Sequence, residues 1–252
     1  MSNSHRNPNL RSSSSRLVNN LWYNFRTYTS RIGGASNVDI IGNKYKKGPL
    51  GPKNHEIGAT SNGQSRGPSG APSLYLSGNL GWNQPNPAGD QWLMTQTTGT
   101  AINGGETGPI AASWKRSTPL PSTTHPIIAE PVANIEASIV PTVGASRRLA
   151  CDGAWVDNRD AVDTRLVSEY RNGAGARVLV ANENDVGGYP PIASGPSCFS
   201  ATNDTDGDNL PDAWEMAAFG NLDQTAHAVA ANGYTNLENY LNGPVDGPPP
   251  RP

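Results

Sequence analysis

No stretch of the 252-residue chain is apolar enough to span a membrane. Its first residues, Met1-Ser2-Asn3-Ser4-His5-Arg6, lack the apolar h-region of a signal peptide, and the expectation is a chain that starts abruptly, as if inside a domain. Charge is scarce: 16% of residues are charged and the net charge is -2, with Lys and Arg scattered, which argues against nucleic acid as the main partner. The two cysteines, Cys151 and Cys198, form no Cys-x-x-Cys metal pair, leaving a disulfide or two free thiols. His55, His125 and His227 have no metal-ligand spacing and read as structural. No Ser-His-Asp or Cys-His order stands out, so triad hydrolysis has little support.

What the chain has in quantity is Gly (28) and Pro (22), against a hydrophobic content of 35%. That composition describes a loop-rich protein rather than a helical bundle, with enough apolar residues for stacked short strands and long excursions. Leu17-Val18-Asn19-Asn20-Leu21-Trp22, Val38-Asp39-Ile40-Ile41-Gly42-Asn43-Lys44-Tyr45 and Leu74-Tyr75-Leu76-Ser77-Gly78-Asn79 each set a β-prone run against an Asn. Asn20 and Asn43 are one solenoid repeat apart, and Gly, Pro and Ser between Gly48 and Pro72 lengthen the step to Asn79. Short strands, an Asn suited to bending the backbone at a corner and a regular period predict an all-β, right-handed parallel β-helix. The competing reading is a set of unrelated strands from a sandwich.

Between Gly81 and Pro131 the periodicity fades. Trp82, Trp92 and Trp114 stand among Gly, Pro, Thr and Gln. They serve either to pin surface excursions onto the core or to stack on sugar rings. Asp157 to Tyr170 reads as a helix capped by Asp157 or Asn158, with Val162, Leu166 and Tyr170 on one face and Asn172-Gly173 as the stop. A short helix is expected from Asp212 to Phe219, ended by Gly220. Another begins at Thr235, where Thr235-Asn236-Leu237-Glu238 matches a capping box and Leu237 and Leu241 form an apolar stripe. The expected organisation is a solenoid with long loops over 1–130, a post-solenoid segment with a packed helix over 131–200, a loop with two short helices over 201–243, and a Pro-rich tail over 244–252.

The strongest motif runs from Asp204 to Glu215. Asp204, Asp206, Asp208, Asp212 and Glu215 fall at the first, third, fifth, ninth and twelfth positions of a calcium loop, with the Leu210 carbonyl at the seventh. Calcium wants about six to eight oxygens, and alternate carboxylates on a tight loop can converge on one point. The sixth position, usually Gly, is Asn209, which tolerates positive φ better than most residues. The alternative is a solvated acidic helix cap. A lone loop of this kind suits a structural clip better than a sensor.

Several stretches resemble the pectate lyase family of polysaccharide lyases. His5-Arg6-Asn7-Pro8-Asn9-Leu10-Arg11 with Leu17-Val18-Asn19-Asn20-Leu21-Trp22-Tyr23-Asn24 resembles the back half of that family's active-site rung, and Val38 to Pro49 resembles the next rung. Val143-Gly144-Ala145 followed by Arg159 to Arg165 resembles the segment after the solenoid in bacterial members, and the acidic loop with Asn232 to Leu241 resembles their C-terminal ending. Together these cover most of the chain, with a gap between Trp82 and Pro131.

The resemblance implies cleavage of polygalacturonate by β-elimination in a groove on a parallel β-helix, outside the cell. It assigns Arg6, first in the Arg-x-Pro-x-x-Arg motif, to removal of the C5 proton, and Arg11 to binding a uronate. Guanidinium forks match planar carboxylates, while a pKa above about 12 keeps a free arginine protonated. In the family, calcium and nearby positive charge favour the neutral form and acidify C5. The family's calcium aspartates lie on rungs ahead of this motif, where this sequence has only Met1 to His5. The expectation is therefore a β-helix incomplete at its N-terminus, without those ligands. Lys44, Lys46 and Lys47 are either further binders of acidic polysaccharide or a solvated basic edge. Three roles stay open: a lyase-like enzyme, a noncatalytic polyuronate binder, and a structural solenoid that self-associates through its open first rung.

Overall fold

The computed structural model describes residues 7–52, 54–61, 69–99, 106–121, 126–144, 146–189 and 197–242. The chain divides into two compact units, Met1–Val140 with Arg165–Gly188, and Pro141–Thr164 with Tyr189–Pro252.

In the first unit the strands recur in threes. β1 (Asn9–Leu10), β2 (Ser14–Val18) and β3 (Leu21–Tyr23) are followed by β4 (Ser30–Gly33), β5 (Asn37–Ile41) and β6 (Lys44–Lys46), then by β7 (Ile57–Thr60) and β8 (Ser73–Ser77), with a lone parallel bridge from Leu80 to Lys44 in the third place, and β9 (Thr95–Thr98) opens a further set. Each strand pairs in parallel with its counterpart in the next set: β1 with β4 and β4 with β7, β2 with β5 and β5 with β8, β3 with β6, and β7 with β9. The first sheet ends in an antiparallel strand, β10 (Glu106–Gly108). Register places like on like. Leu17, Ile40 and Leu76 stack, as do Val38 and Leu74, and Trp22 lies on Tyr45 with ring centroids 4.6 Å apart. Ile32, Val38, Ile40, Tyr45, Ile57, Ala59, Leu74 and Met94 form the buried core, and Trp82, Trp92 and Trp114 pack half-buried against it. Those three tryptophans pin the excursions down, the first of the two roles open to them.

The corners explain the recurring Asn. The backbone turns left-handed at Asn19, Gly42 and Gly78 (φ 53, 61 and 65), one residue before each of the asparagines expected to bend it. Asn20, Asn43 and Asn79 instead form a ladder. The main-chain N–H and side-chain amide of Asn20 donate to Asn43 Oδ1 at 2.9 and 3.0 Å, and those of Asn43 donate to Asn79 Oδ1, both at 2.9 Å. Gln91 ends the ladder by accepting from the Asn79 N–H at 2.7 Å. Steps of 23 and 36 residues thus converge on one corner, because the extra chain leaves between strands and not within them.

The unit also holds α1 (Ile135–Ile139), with Ile135 buried, and α2 (Ala161–Asn172) from Arg165 onward, with Val167 and Tyr170 buried. Helix α2 starts later than its sequence suggests. Asp157 closes a strand, and Asp160 caps the helix by accepting from the Asp163 N–H at 2.8 Å.

In the second unit β11 (Arg147–Leu149) pairs antiparallel with β12 (Trp155–Asp157). Helices α3 (Asp212–Ala218) and α4 (Asn236–Leu241) follow. Thr235 and Glu238 form the expected capping box, but Leu241 is 54% exposed and α4 buries Asn236 and Tyr240 instead. Leu210, Trp214, Ala226 and Tyr240 make the core, with Leu149 and Leu237 against it. Cys151 and Cys198 are joined in a disulfide that spans 47 residues, a constraint of about 4 kcal/mol by loop-closure entropy.

Candidate functional site

Of the basic residues singled out in the sequence, Arg11, Lys44, Lys46 and Lys47 fall in the first unit. Arg6 lies outside the described residues. Arg11 follows β1 and is half-buried. Lys44 and Lys46 flank the buried Tyr45 on β6, so alternation turns both away from the core. Lys44 pairs with Glu136 at 3.0 Å. Lys46 donates to the Tyr170 carbonyl at 3.0 Å and sits 4.1 Å from the Tyr170 ring centroid, a cation placed at the C-terminal end of α2. Burial works against a charge on Glu136, but hydrogen bonds from Tyr170 and Lys44 and the lysine charges outweigh it and hold that carboxyl below its ordinary range. Lys47 stands apart, exposed, with its ammonium 5.0 Å from the Trp82 ring centroid.

Two buried acids of this unit carried no sequence motif. Asp39, wholly buried on the outer face of β5, accepts from Arg16 at 3.2 Å, from Arg116 at 2.6 Å and from the Leu120 N–H at 2.9 and 3.1 Å. The pairings neutralise it and tie residues 116–120 to the sheet. A charged residue inside the apolar run Val38-Asp39-Ile40-Ile41 was the available signal. Glu56 is also wholly buried and accepts from the Asn83 N–H and side-chain amide at 2.9 and 2.8 Å. Burial raises its pKa despite those bonds. Nothing in His55-Glu56-Ile57 announced it.

The acidic loop belongs to the second unit. Gly207 and Asn209 take the left-handed conformation (φ 73 and 75), so Asn209 makes the turn that Gly would otherwise make. Asp204 Oδ2 accepts from the Asn209 N–H at 3.2 Å, Asp208 Oδ1 from the Leu210 N–H at 2.7 Å, and Asp212 Oδ1 from the Thr205 N–H at 2.8 Å. These bonds fold the loop inward. Oxygens of Asp204, Asp206 and Asp208 lie within 4.8 Å of one another, and so do those of Asp206, Asp212 and Glu215.

Glu215 is 0% exposed and neither of its oxygens has a hydrogen-bond partner; Asp204 is 6% exposed and its Oδ1 is likewise unpartnered. Burial first, then the charges of Asp208, Asp206, Asp212 and Asp204, push the Glu215 pKa up to about 7. Orphaned, buried oxygens among converging carboxylates fit a hard divalent cation, which prefers oxygen donors and supplies the missing positive charge. Leu210 itself is fully buried in the core beside them.

Over 89 residues, 34% of the chain, the sequence is 36% identical to a protein named Probable pectate lyase C from Aspergillus flavus, and equally to one of the same name from Aspergillus oryzae. The chain is similar to pectate lyases over a third of its length. The match spans 20% of each of these curated relatives, about a fifth of their length. No family model matches the chain, and no solved structure matches it.

Proposed function

We propose that this protein acts on an acidic polysaccharide of the polygalacturonate type by β-elimination, as a pectate lyase-like protein on a right-handed parallel β-helix. The observation that carries this reading is the partial match to the two fungal proteins named Probable pectate lyase C. Strands that recur in threes and pair in parallel, with an asparagine ladder at one corner, support the β-helix. In the proposed reaction Arg6 takes the proton from C5, a C4–C5 double bond forms as the C4–oxygen bond breaks, and the departing glycosidic oxygen takes up a proton from water, leaving an unsaturated uronate at the new non-reducing end. Arg11, Lys44, Lys46 and Lys47 bind uronate carboxylates. Calcium is the metal expected in the loop of Asp204, Asp206, Asp208, Leu210, Asp212 and Glu215. The site of action is extracellular, in keeping with the substrate and with the disulfide, which persists in oxidising surroundings.

One observation favours a noncatalytic polyuronate binder as a second reading. Among the described residues, both groups of acidic side chains placed to hold a metal lie in the loop 204–215, and the buried Asp39 of the first unit is already satisfied by two arginines. Self-association belongs to either reading, since among the described residues β1, β2 and β3 each lie at an edge of their sheet. Light scattering that finds only monomers at high concentration contradicts it. For the lyase itself the test is ultraviolet absorbance with polygalacturonate, with calcium and with chelator. Growth of the unsaturated-uronate band that disappears in Arg6→Ala supports elimination. A flat trace from folded protein that still retains polygalacturonate leaves binding as the function.

A further inference from the structure

Two sets stand out among the carboxylate oxygens of the acidic loop. Asp204 Oδ2, Asp208 Oδ1 and Asp212 Oδ1 accept main-chain N–H groups from within the loop, and Asp208 Oδ2 accepts the Ala226 N–H at 2.7 Å. Those oxygens brace the fold. Both oxygens of Glu215 and Oδ1 of Asp204 have no hydrogen-bond partner although they are shut off from solvent. A buried carboxylate left in that condition is among the most destabilising groups a protein can contain, unless a cation completes it. Asp206 belongs to both converging trios and marks where they meet.

Ligand and core residues also alternate here. Asp208 holds Ala226, Leu210 is buried between Asp208 and Asp212, and Trp214 precedes Glu215. Trp214 packs edge-on against Tyr240 and Phe219, with ring centroids 5.7 and 5.4 Å apart, and Gly153 lies so close that a Cβ there would meet the Trp214 ring at 2.5 Å. Whatever fixes Glu215 fixes Trp214 in the centre of the second unit.

Resting on the assignment of a metal to this loop, we infer that it is a preformed site for one calcium ion, held by both oxygens of Glu215, by Asp204 Oδ1 and by Asp206. The ion's work is to lock the Leu210, Trp214, Ala226 and Tyr240 cluster, and it takes no part in the polysaccharide reaction. Calcium is preferred to magnesium because the site offers a two-oxygen carboxylate and several irregularly placed oxygens. Magnesium demands near-octahedral geometry at shorter distance and keeps its waters.

The test uses the whole chain, stripped with chelator and titrated with calcium chloride or magnesium chloride. It is followed by calorimetric titration, Trp fluorescence and thermal unfolding. The expected result is one calcium per chain, a change in Trp fluorescence, and a Tm raised by roughly 10 °C at a hundredfold excess over Kd, with magnesium giving a far smaller shift. Glu215→Gln should abolish the calcium-induced shift, yet in chelator unfold at or above the Tm of the stripped parent, because the orphaned charge is gone. A variant that merely fails to fold would instead unfold below the stripped parent. No calcium binding, two equivalents of ion, an equal response to magnesium, or an undiminished calcium shift in Glu215→Gln would each overturn the inference. At a temperature where both are folded, Glu215→Gln should form product from polygalacturonate at the parent's rate; loss of product formation in that variant alone would contradict a purely structural ion. Absence of product from both proteins, with the calcium response intact, counts against the elimination reading and leaves the clip standing.

Discussion

Asp39 and Glu215 are both carboxylates withdrawn from water, and their surroundings set opposite demands. Asp39 is met by two guanidinium groups and a main-chain N–H. Replacing it by Ala strands two half-buried arginines, and Asp39→Ala should lose about 3–5 kcal/mol in urea unfolding; a loss below about 1 kcal/mol would mean that the arginines find water instead. Glu215 meets only other negative charge, and its folded pKa of about 7 stands above the ordinary 4.5. Between those values the folded chain holds a proton that the unfolded chain has released, so in chelator the contribution of Glu215 to stability is fully present below about pH 4.5 and is lost as pH rises through 7. With calcium bound the carboxylate is held ionised, and the Tm should rise over the same interval. Thermal unfolding against pH, with chelator and with calcium, checks both slopes, and Glu215→Gln should flatten the contribution in chelator. The convergence of the loop was legible in the sequence because every carboxylate lies within twelve consecutive residues. The Asp39 cluster was not, since Arg116 reaches it across 77 residues.

At the scale of the elements, the first unit is organised by its ladder. Asn43 supplies the oxygen that receives two donors from Asn20, and its amide serves both Asn79 and the Leu17 carbonyl at 2.8 Å. Asn43→Ala therefore leaves several buried groups unsatisfied and should cost about 2–4 kcal/mol, read as a lowered midpoint in urea. Gly42→Ala adds a Cβ at a left-handed φ of 61, 2.8 Å from the Asn19 amide nitrogen, and should cost about 1–2 kcal/mol. The recurrence of Asn was visible in the sequence, while its task was not. The pairs Asn19-Asn20, Gly42-Asn43 and Gly78-Asn79 place the residue that tolerates positive φ first and the hydrogen-bonding residue second. Asn19 stands where the others have Gly because its amide also donates to the Glu130 carbonyl at 2.8 Å, a partner 111 residues away that no local pattern reveals. Helix α2 starts late for a similar reason: β12 takes Asp157 by pairing with Arg147, and tertiary pairing overrides a helical signal in the sequence.

Over the whole molecule, repetition made the stacked strands readable, whereas the stretch from Trp82 to Pro131 stayed obscure. Its tryptophans and Arg116 are fixed by the strands beneath them, not by any period of their own. The proposed activity rests on a 36% match over a third of the chain and on the arginines near its start, while the acidic loop near its end is assigned to the stability of the second unit. The most direct measurement is the mass of whatever the purified protein releases from polygalacturonate in the presence of calcium. Elimination leaves the new non-reducing end, which carries the C4–C5 double bond, lighter by one water than hydrolysis would, while the new reducing end has the same mass in both; those unsaturated oligouronates are the predicted product, absent with Arg6→Ala. Hydrolytic masses, or an unaltered polymer after prolonged incubation with folded protein, would contradict it.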